Sequence, residues 1–476
     1  MIEQGNYTKK VEELTKNITG LIAKKLVVKN KEIYILYIPQ ITNREGLSEN
    51  IIKPLLQYNG DQILTAELII NSVIYIDDVF SEEDESKIVN YIVAGKSIVF
   101  ISGDSKYLVA NTLKIEKRNI ESPEIESGIR SPKDAFNENL DSNLSLIRYR
   151  IKDPSLKVDY YIVGRRTKTP VAVIYLKDVA NPVYVEEIKK RLSQIDIDGV
   201  LESGYIQKFI SDKNGLMFPQ IGISERSDTA CANILEGKVC IIVEGSNLSL
   251  IAPKSFIEFF DAGDDHYDNH YAGILFKILR FLSLLVALTL SALYVTVVAF
   301  HPDILPSQYI LAIAASRVGV PINAVIEAIL MEGMLELLRE ANLRLPKQIG
   351  TSISIVGTIV IGQAAVFAGV VSPLMVIIVA LSSMASFAVT DYTLISPIRI
   401  LKFLMIILSG VYGIFGFIMG LTIVVIKVTS IESFGIPYTV PVAPFNFKDL
   451  KDLITSNPLK DNDRPKFLNL KNKKRK

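Results

Sequence analysis

The alternation of apolar and polar positions changes character twice along the chain. From Leu26 to Leu113, short β-rich runs at Ile33–Ile38, Leu64–Ile76 and Ser97–Ile101 alternate with helix-like stretches such as Glu82–Ala94, the pattern of an α/β unit. A polar stretch from Glu116 to Gly128 reads as a linker. Ser131-Pro132-Lys133-Asp134 then offers a Ser cap, a Pro at the first helical position and an acidic first turn, which predicts a helix through to Ile151. A second α/β unit follows. It has a strand at Val158–Val163, a turn at Gly164–Thr169, a strand at Val171–Leu176 and a helix opened by Asn181-Pro182 that ends near Ile195. Val239–Val243 and Leu248–Ile251 flank Glu244-Gly245-Ser246-Asn247 as a hairpin. No period of 20 to 50 residues recurs.

Beyond residue 272 the pattern belongs to a different solvent. Three uncharged runs, Phe281–Pro302, Gln348–Thr390 and Phe403–Ile426, predict four crossings at about 20 apolar residues each, with the long run divided at Ser372-Pro373. Tyr309–Ala341 is apolar at helical spacing yet carries Arg317, Glu327, Glu332, Glu336, Arg339 and Glu340. It is either a crossing helix with a wet face or a helix lying at the interface. Lys277 and Arg280 place the start of the first crossing in the cytoplasm. Four crossings return the basic end Lys471, Lys473, Lys474, Arg475 and Lys476 to that side, whereas five export it; four is the expectation.

Charge sharpens the division: 16 of the 175 residues from 272 to 446 are Asp, Glu, Lys or Arg, against 87 of the other 301. The expected fold class is an α/β soluble N-terminal region of two subdomains followed by an all-α multi-pass transmembrane domain. The boundaries are 1–120 and 121–271 for the two cytosolic subdomains, 272–446 for the transmembrane domain and 447–476 for a basic C-terminal tail. A net charge of +1 gives no phosphate-tracking surface, so no nucleic acid is expected as a partner. Met1 to Lys31 has no apolar core of a signal peptide, and Cys231 and Cys240 lack metal-ligand spacing, as in a reducing compartment.

The chemistry-bearing motifs are few. Gly95-Lys96-Ser97 lacks the glycine that a phosphate loop needs five positions earlier, where Asn90 stands. Arg165, Arg166 and Lys168, with Thr167 and Thr169 in the same tight turn, either dock an anion or an acidic partner surface, or form a solvated hairpin tip. Asp261, Asp264, Asp265, His266, Asp268 and His270 read as a hydrated acidic collar rather than a metal site, and neither a metal nor another cofactor is expected. All three histidines, His266, His270 and His301, lie beside the membrane segments, so His-dependent catalysis in the soluble region is excluded and an enzyme is not expected.

Within the membrane segments, Glu332, Glu336, Arg339 and Glu340 share one face of a helical wheel and Glu327 sits opposite among Leu330, Met331 and Met334. Glu327 is either a working intramembrane acid or a carboxylate paired with an arginine such as Arg317 or Arg339. Thr351, Ser354, Thr358, Gly362, Ala365 and Gly369 form a small, weakly polar stripe that serves close helix packing or lines a narrow aqueous path. Ser354, Thr358, Gly362, Ala365, Glu327 and Glu332 are therefore the pore or gating candidates.

Five segments resemble the A subunit of bacterial spore germinant receptors: Ser131–Ile151, Val163–Pro182, Glu225–Ser246, Arg344–Pro373 and Ser433–Pro444, in that family's order. The resemblance implies a multi-pass protein of the spore inner membrane with its soluble N-terminal region cytoplasmic, on the core side. It implies a membrane B subunit and a lipoprotein C subunit as partners, and a homo-oligomer that forms an ion path. The complex would detect nutrients and trigger germination. Two alternatives stay open: a secondary transporter binding substrate at Glu327, and an assembly scaffold.

Overall fold

The computed structural model describes residues 5–60, 62–114, 123, 126, 131–212, 217–267, 269–344, 362–455 and 463–475. The expected linker at 116–128 lies almost wholly outside them. Two compact units emerge: one comprises residues 1–211, 221–253 and 459–476, the other 212–220 and 254–458.

The first unit contains two sheets of the same topology. Helix α1 (Gly5–Asn17) leads into β1 (Ile22–Val28), β2 (Lys31–Tyr37) and β3 (Val79–Glu82), then α2 (Ile88–Val93), β4 (Ser97–Ile101) and β5 (Tyr107–Ala110). The second sheet follows α3 (Leu140–Arg150) with β6 (Leu156–Val163), β7 (Thr169–Leu176), α4 (Pro182–Ser193), β8 (Gly222–Ser224), α5 (Ser227–Leu235), β9 (Val239–Val243) and β10 (Ser249–Ala252). Spatial order is β1-β2-β4-β5-β3 in one and β6-β7-β9-β10-β8 in the other, antiparallel throughout. Each helix that precedes a central strand recurs as well. The region is a tandem structural repeat whose period, about 140 residues, is far longer than a solenoid unit.

Central strands β4 and β9 are buried at every position, which is why they read as continuous apolar runs. Two expected elements differ. Residues 66–72, within a run read as β-rich, are helical: Thr65 Oγ1 accepts the Leu68 N–H at 3.3 Å, and Ala66, Ile69 and Val73 bury one face at helical spacing. The helix expected from Ser131 begins only at Leu140, because Asn139 caps it by accepting the Ser142 N–H at 2.8 Å. Residues 131–138 are instead drawn alongside the α5 entry, where Ala135 bridges Arg226 and the Phe136 N–H bonds Glu225 O at 2.7 Å.

The segment expected as a tail divides between the two units. Residues 463–475 strap the second repeat: Leu468 and Leu470 are buried, Tyr184 donates to Leu468 O at 2.9 Å, Asn181 to Asn469 O at 3.0 Å, and Arg475 pairs with Glu236 at 2.8 Å.

The second unit is helical: α6 (His270–Phe300), α7 (Ser307–Arg317), α8 (Ala324–Arg344), α9 (Pro373–Phe387), α10 (Tyr392–Thr429) and α11 (Phe447–Thr455). The Tyr309–Ala341 stretch is thus two helices, parted at Gly319–Pro321. By length and composition α6 can cross a bilayer, and α10 would pass the same test only as an unbroken helix. α9 starts where the sequence divides the long run, with Ser372 Oγ accepting the Met375 N–H at 3.3 Å and Pro373 at its first position.

Helix α10 is not one rod. Gly413 has φ 59° and ψ −135°, outside the helical region, and a Cβ built on Gly420 would lie 2.5 Å from Met405 Sδ. Fifteen residues of straight helix separate such positions by about 22 Å. The chain therefore folds back at Gly413 into an antiparallel pair of legs, 392–412 and 414–429. Gly416 lets the legs close, since any Cβ there would run into Leu408 O. The run Phe403–Ile426, expected as one crossing, is a hairpin.

Candidate functional site

Helix α8 runs through the apolar core of the second unit and carries three carboxylates inward. Each meets a cation from another part of the unit. Glu327, with no exposed side-chain surface, accepts the Ser372 N–H at 2.5 Å and pairs with Arg317 at 3.1 Å. One turn and a half further on, Glu332 accepts from Ser291 Oγ at 2.7 Å and pairs with Lys402 at 2.5 Å, with both side chains under 5% exposed. Glu336 accepts from Arg399 Nε at 2.9 Å and lies 3.8 Å from Arg339, whose other nitrogen donates to Ser383 Oγ at 3.2 Å. The three carboxylates are spaced about 7.5 and 6 Å along the helix axis.

Glu327 and Glu332 lie on different sides of the helical wheel and both are buried. The reason is that α8 is covered on two sides: α9 takes the Glu327 side through Ser372, and α6 with the first leg of α10 takes the Glu332 side through Ser291 and Lys402. These pairs also fix direction. Glu327 meets the start of α9 and Arg339 meets Ser383 and Ser386 near its end, so α8 and α9 are parallel. Val325 faces Gly410, Glu332 meets Lys402 and Glu336 meets Arg399, so α8 opposes the first leg of α10.

An uncompensated charge in such a core costs several kcal/mol or more, so pairing is what makes the column tolerable. Buried hydroxyls extend it: Ser382 Oγ donates to Ala287 O at 3.1 Å and Thr296 Oγ1 to Ala292 O at 2.9 Å. Beside its Arg317 end, a cleft of about 410 Å³ is lined by Val297, Pro302, Ile313 and Asn323 among others. Arg317 borders it, but with Glu327 alongside the site is electrically balanced.

The stripe is only partly visible. Thr351, Ser354 and Thr358 fall outside the described residues. Gly362 is buried, 3.6 Å from Val376 of α9 at the position of its missing Cβ, and Ala365 is half-buried against the helical core. In the turn Gly164–Thr169, Arg165 forms a two-pronged pair with Asp196 and Arg166 lies 3.8 Å from Asp198. Thr169 Oγ1 donates to Val200 O at 2.7 Å. Two of the three cations are thus matched by acids of the neighbouring loop, and Lys168 holds a left-handed backbone with φ 47°. Of the Asp/His collar, Asp261 pairs with Lys277 at 2.7 Å and Asp265 with Arg280. Lys402 and Arg399 are the site residues that periodicity missed. Their only signal is that they are the two cations of an otherwise apolar stretch.

The model of the Bacillus/Clostridium GerA spore germination protein family matches residues 9–467. Spore germination protein KA of Bacillus subtilis is 38% identical over 93% of this chain and 81% of its own length. GerLA of Bacillus cereus is 37% identical over 92% and 89%, and the B. subtilis uncharacterized membrane protein YfkQ 39% over 89% and 83%. The crystal structure of the N-terminal domain of the A subunit of the Bacillus megaterium germinant receptor GerK3 aligns over 53% of this chain and 96% of that one, at 28% identity and a TM-score of 0.41. The chain belongs to the GerA spore germination family.

Proposed function

We propose that this protein is a non-enzymatic, membrane-embedded subunit of a nutrient-responsive germination receptor in the spore inner membrane. It acts as a homo-oligomer with a membrane B subunit and a lipoprotein C subunit, and it forms or gates an ion path. The observation that carries this reading is the α8 column: three carboxylates matched by cations from the neighbouring helices within a bundle that is otherwise apolar. Paired charges in a dry core are the expected state of a closed route, and small residues such as Gly362 and Ala365 are the means by which helices seal it. Residues 463–475 and both sheets share one compact unit and so one side of a bilayer, and Lys277 and Arg280 at the start of the first crossing support the cytoplasmic side.

The test is potassium release from spores carrying Ala365→Phe at normal abundance. Leakage without nutrient, or complete nutrient blindness, is the expected result; wild-type germination removes Ala365 from the path. The transporter reading is favoured by one feature, the helix broken at Gly413, which is how many transporters build a mid-membrane site. It requires substrate accumulation by the purified chain alone.

A further inference from the structure

The helix Ser203–Ile210 buries Ser203, Ile206 and Ile210 against its own repeat and leaves its other face apolar and uncovered. Tyr205 is 46% and Phe209 48% exposed, one turn apart on the helix, with Lys208 exposed beside them and Leu201, 70% exposed, just before the extended cap residue Glu202. The interval of four places Tyr205 and Phe209 side by side on one face of the helix. Large apolar side chains in a contiguous row mark a surface that is covered in the working molecule.

Chain connectivity identifies the cover. The helix ends at Ile210, and three peptide units carry the chain from Phe209 to Asp212, at most about 11 Å. Asp212 opens the segment 212–220, which belongs to the helical unit. It is tied there by a reciprocal pair of bonds with Gln220: the Asp212 N–H donates to Gln220 Oε1 at 2.8 Å and Gln220 Nε2 to Asp212 O at 3.1 Å. Gln220 O in turn accepts from Ser433 Oγ at 3.0 Å, four residues beyond the end of α10 at Thr429. Phe218, 2% exposed, packs in the same cluster as Phe259, Phe260, Ile431 and Tyr438. Three residues beyond Phe209 the chain thus enters the unit that holds the long apolar helices.

We infer that Leu201, Tyr205 and Phe209 seat this helix in the headgroup region of the bilayer, as an interfacial anchor of the second repeat. The chemistry suits it: aromatic rings with one polar handle favour the interface, and Lys208 is placed to meet anionic lipid phosphate. This inference rests on the membrane reading given above. The row becomes a lever, because motion of the second repeat would be transmitted to, or resisted by, the lipid surface.

The chain contains no tryptophan, so a single introduced one is the only indole reporter. Full-length Phe209→Trp, reconstituted into vesicles of phosphatidylcholine and phosphatidylglycerol, is compared with the same vesicles carrying brominated acyl chains. Two controls are Leu285→Trp on α6, 38% exposed among the membrane helices, and Ile162→Trp, 74% exposed on β6. We expect Phe209→Trp and Leu285→Trp to be blue-shifted and quenched at least twofold by the brominated lipid, with Ile162→Trp unquenched. Quenching of Leu285→Trp without Phe209→Trp overturns the anchor alone; a blue-shifted but unquenched Phe209→Trp assigns the row to a protein partner and also overturns it. Absence of quenching at both positions instead contradicts the membrane reading itself.

Discussion

At the scale of single residues, the α8 column is a set of commitments that mutation can break one partner at a time. Removing one charge of Glu332–Lys402 leaves the other buried without its partner charge, since both side chains are under 5% exposed. Breaking a buried pair in this way costs about 3–5 kcal/mol, whereas replacing both partners by apolar groups of similar volume is often neutral. Glu332→Gln and Lys402→Met should each lower thermal stability in detergent markedly. The double variant Glu332→Met/Lys402→Met should recover most of the loss. If the two singles are no less stable than wild type, the pair is absent from the folded protein. Neither charge advertises its partner in the sequence: 70 residues separate them, and only packing brings them together.

Among elements, the hairpin in α10 makes the most distinctive claim. Met405→Cys/Gly420→Cys, with the native cysteines retained, should form an intramolecular disulfide on mild oxidation, because the two positions touch across the legs. In a continuous helix they stand about 22 Å apart and no such bond forms. What the sequence reveals at this scale follows from period. Strands β6, β7, β9 and β10 and the helix capped by Asn181 stand where alternation and cap chemistry place them, since local rules decide those elements. The fold-back at Gly413 was hidden because glycine is common in apolar membrane helices and nothing local distinguishes one that adopts a positive φ. The tandem repeat was hidden for another reason. Its two halves share strand order rather than residue spacing, so β1 to β2 and β6 to β7 recur with different loops.

For the molecule as a whole, sidedness comes before mechanism. In right-side-out vesicles an impermeant maleimide should label Ser307→Cys and spare Lys474→Cys, both exposed positions. The native thiols give little background, because burial pushes Cys231 up and Cys240 up to about 12, keeping both protonated and shielded at the pH of labelling. Labelling at 474 would put the strap on the other side from the site proposed for it and require an odd number of crossings. The α/β region, the helical region and the family were legible from the chain, whereas the inward column was not, as it is assembled from α6, α8, α9 and α10 together. The central claim, that this protein forms or gates an ion path, is tested most directly by single-channel recording of the chain reconstituted with the proposed B and C subunits. On addition of a mixture of amino acids, sugars and nucleosides, the account predicts discrete openings whose conductance or open probability changes with Ala365→Phe. A silent bilayer, or openings identical in wild type and variant, would contradict it.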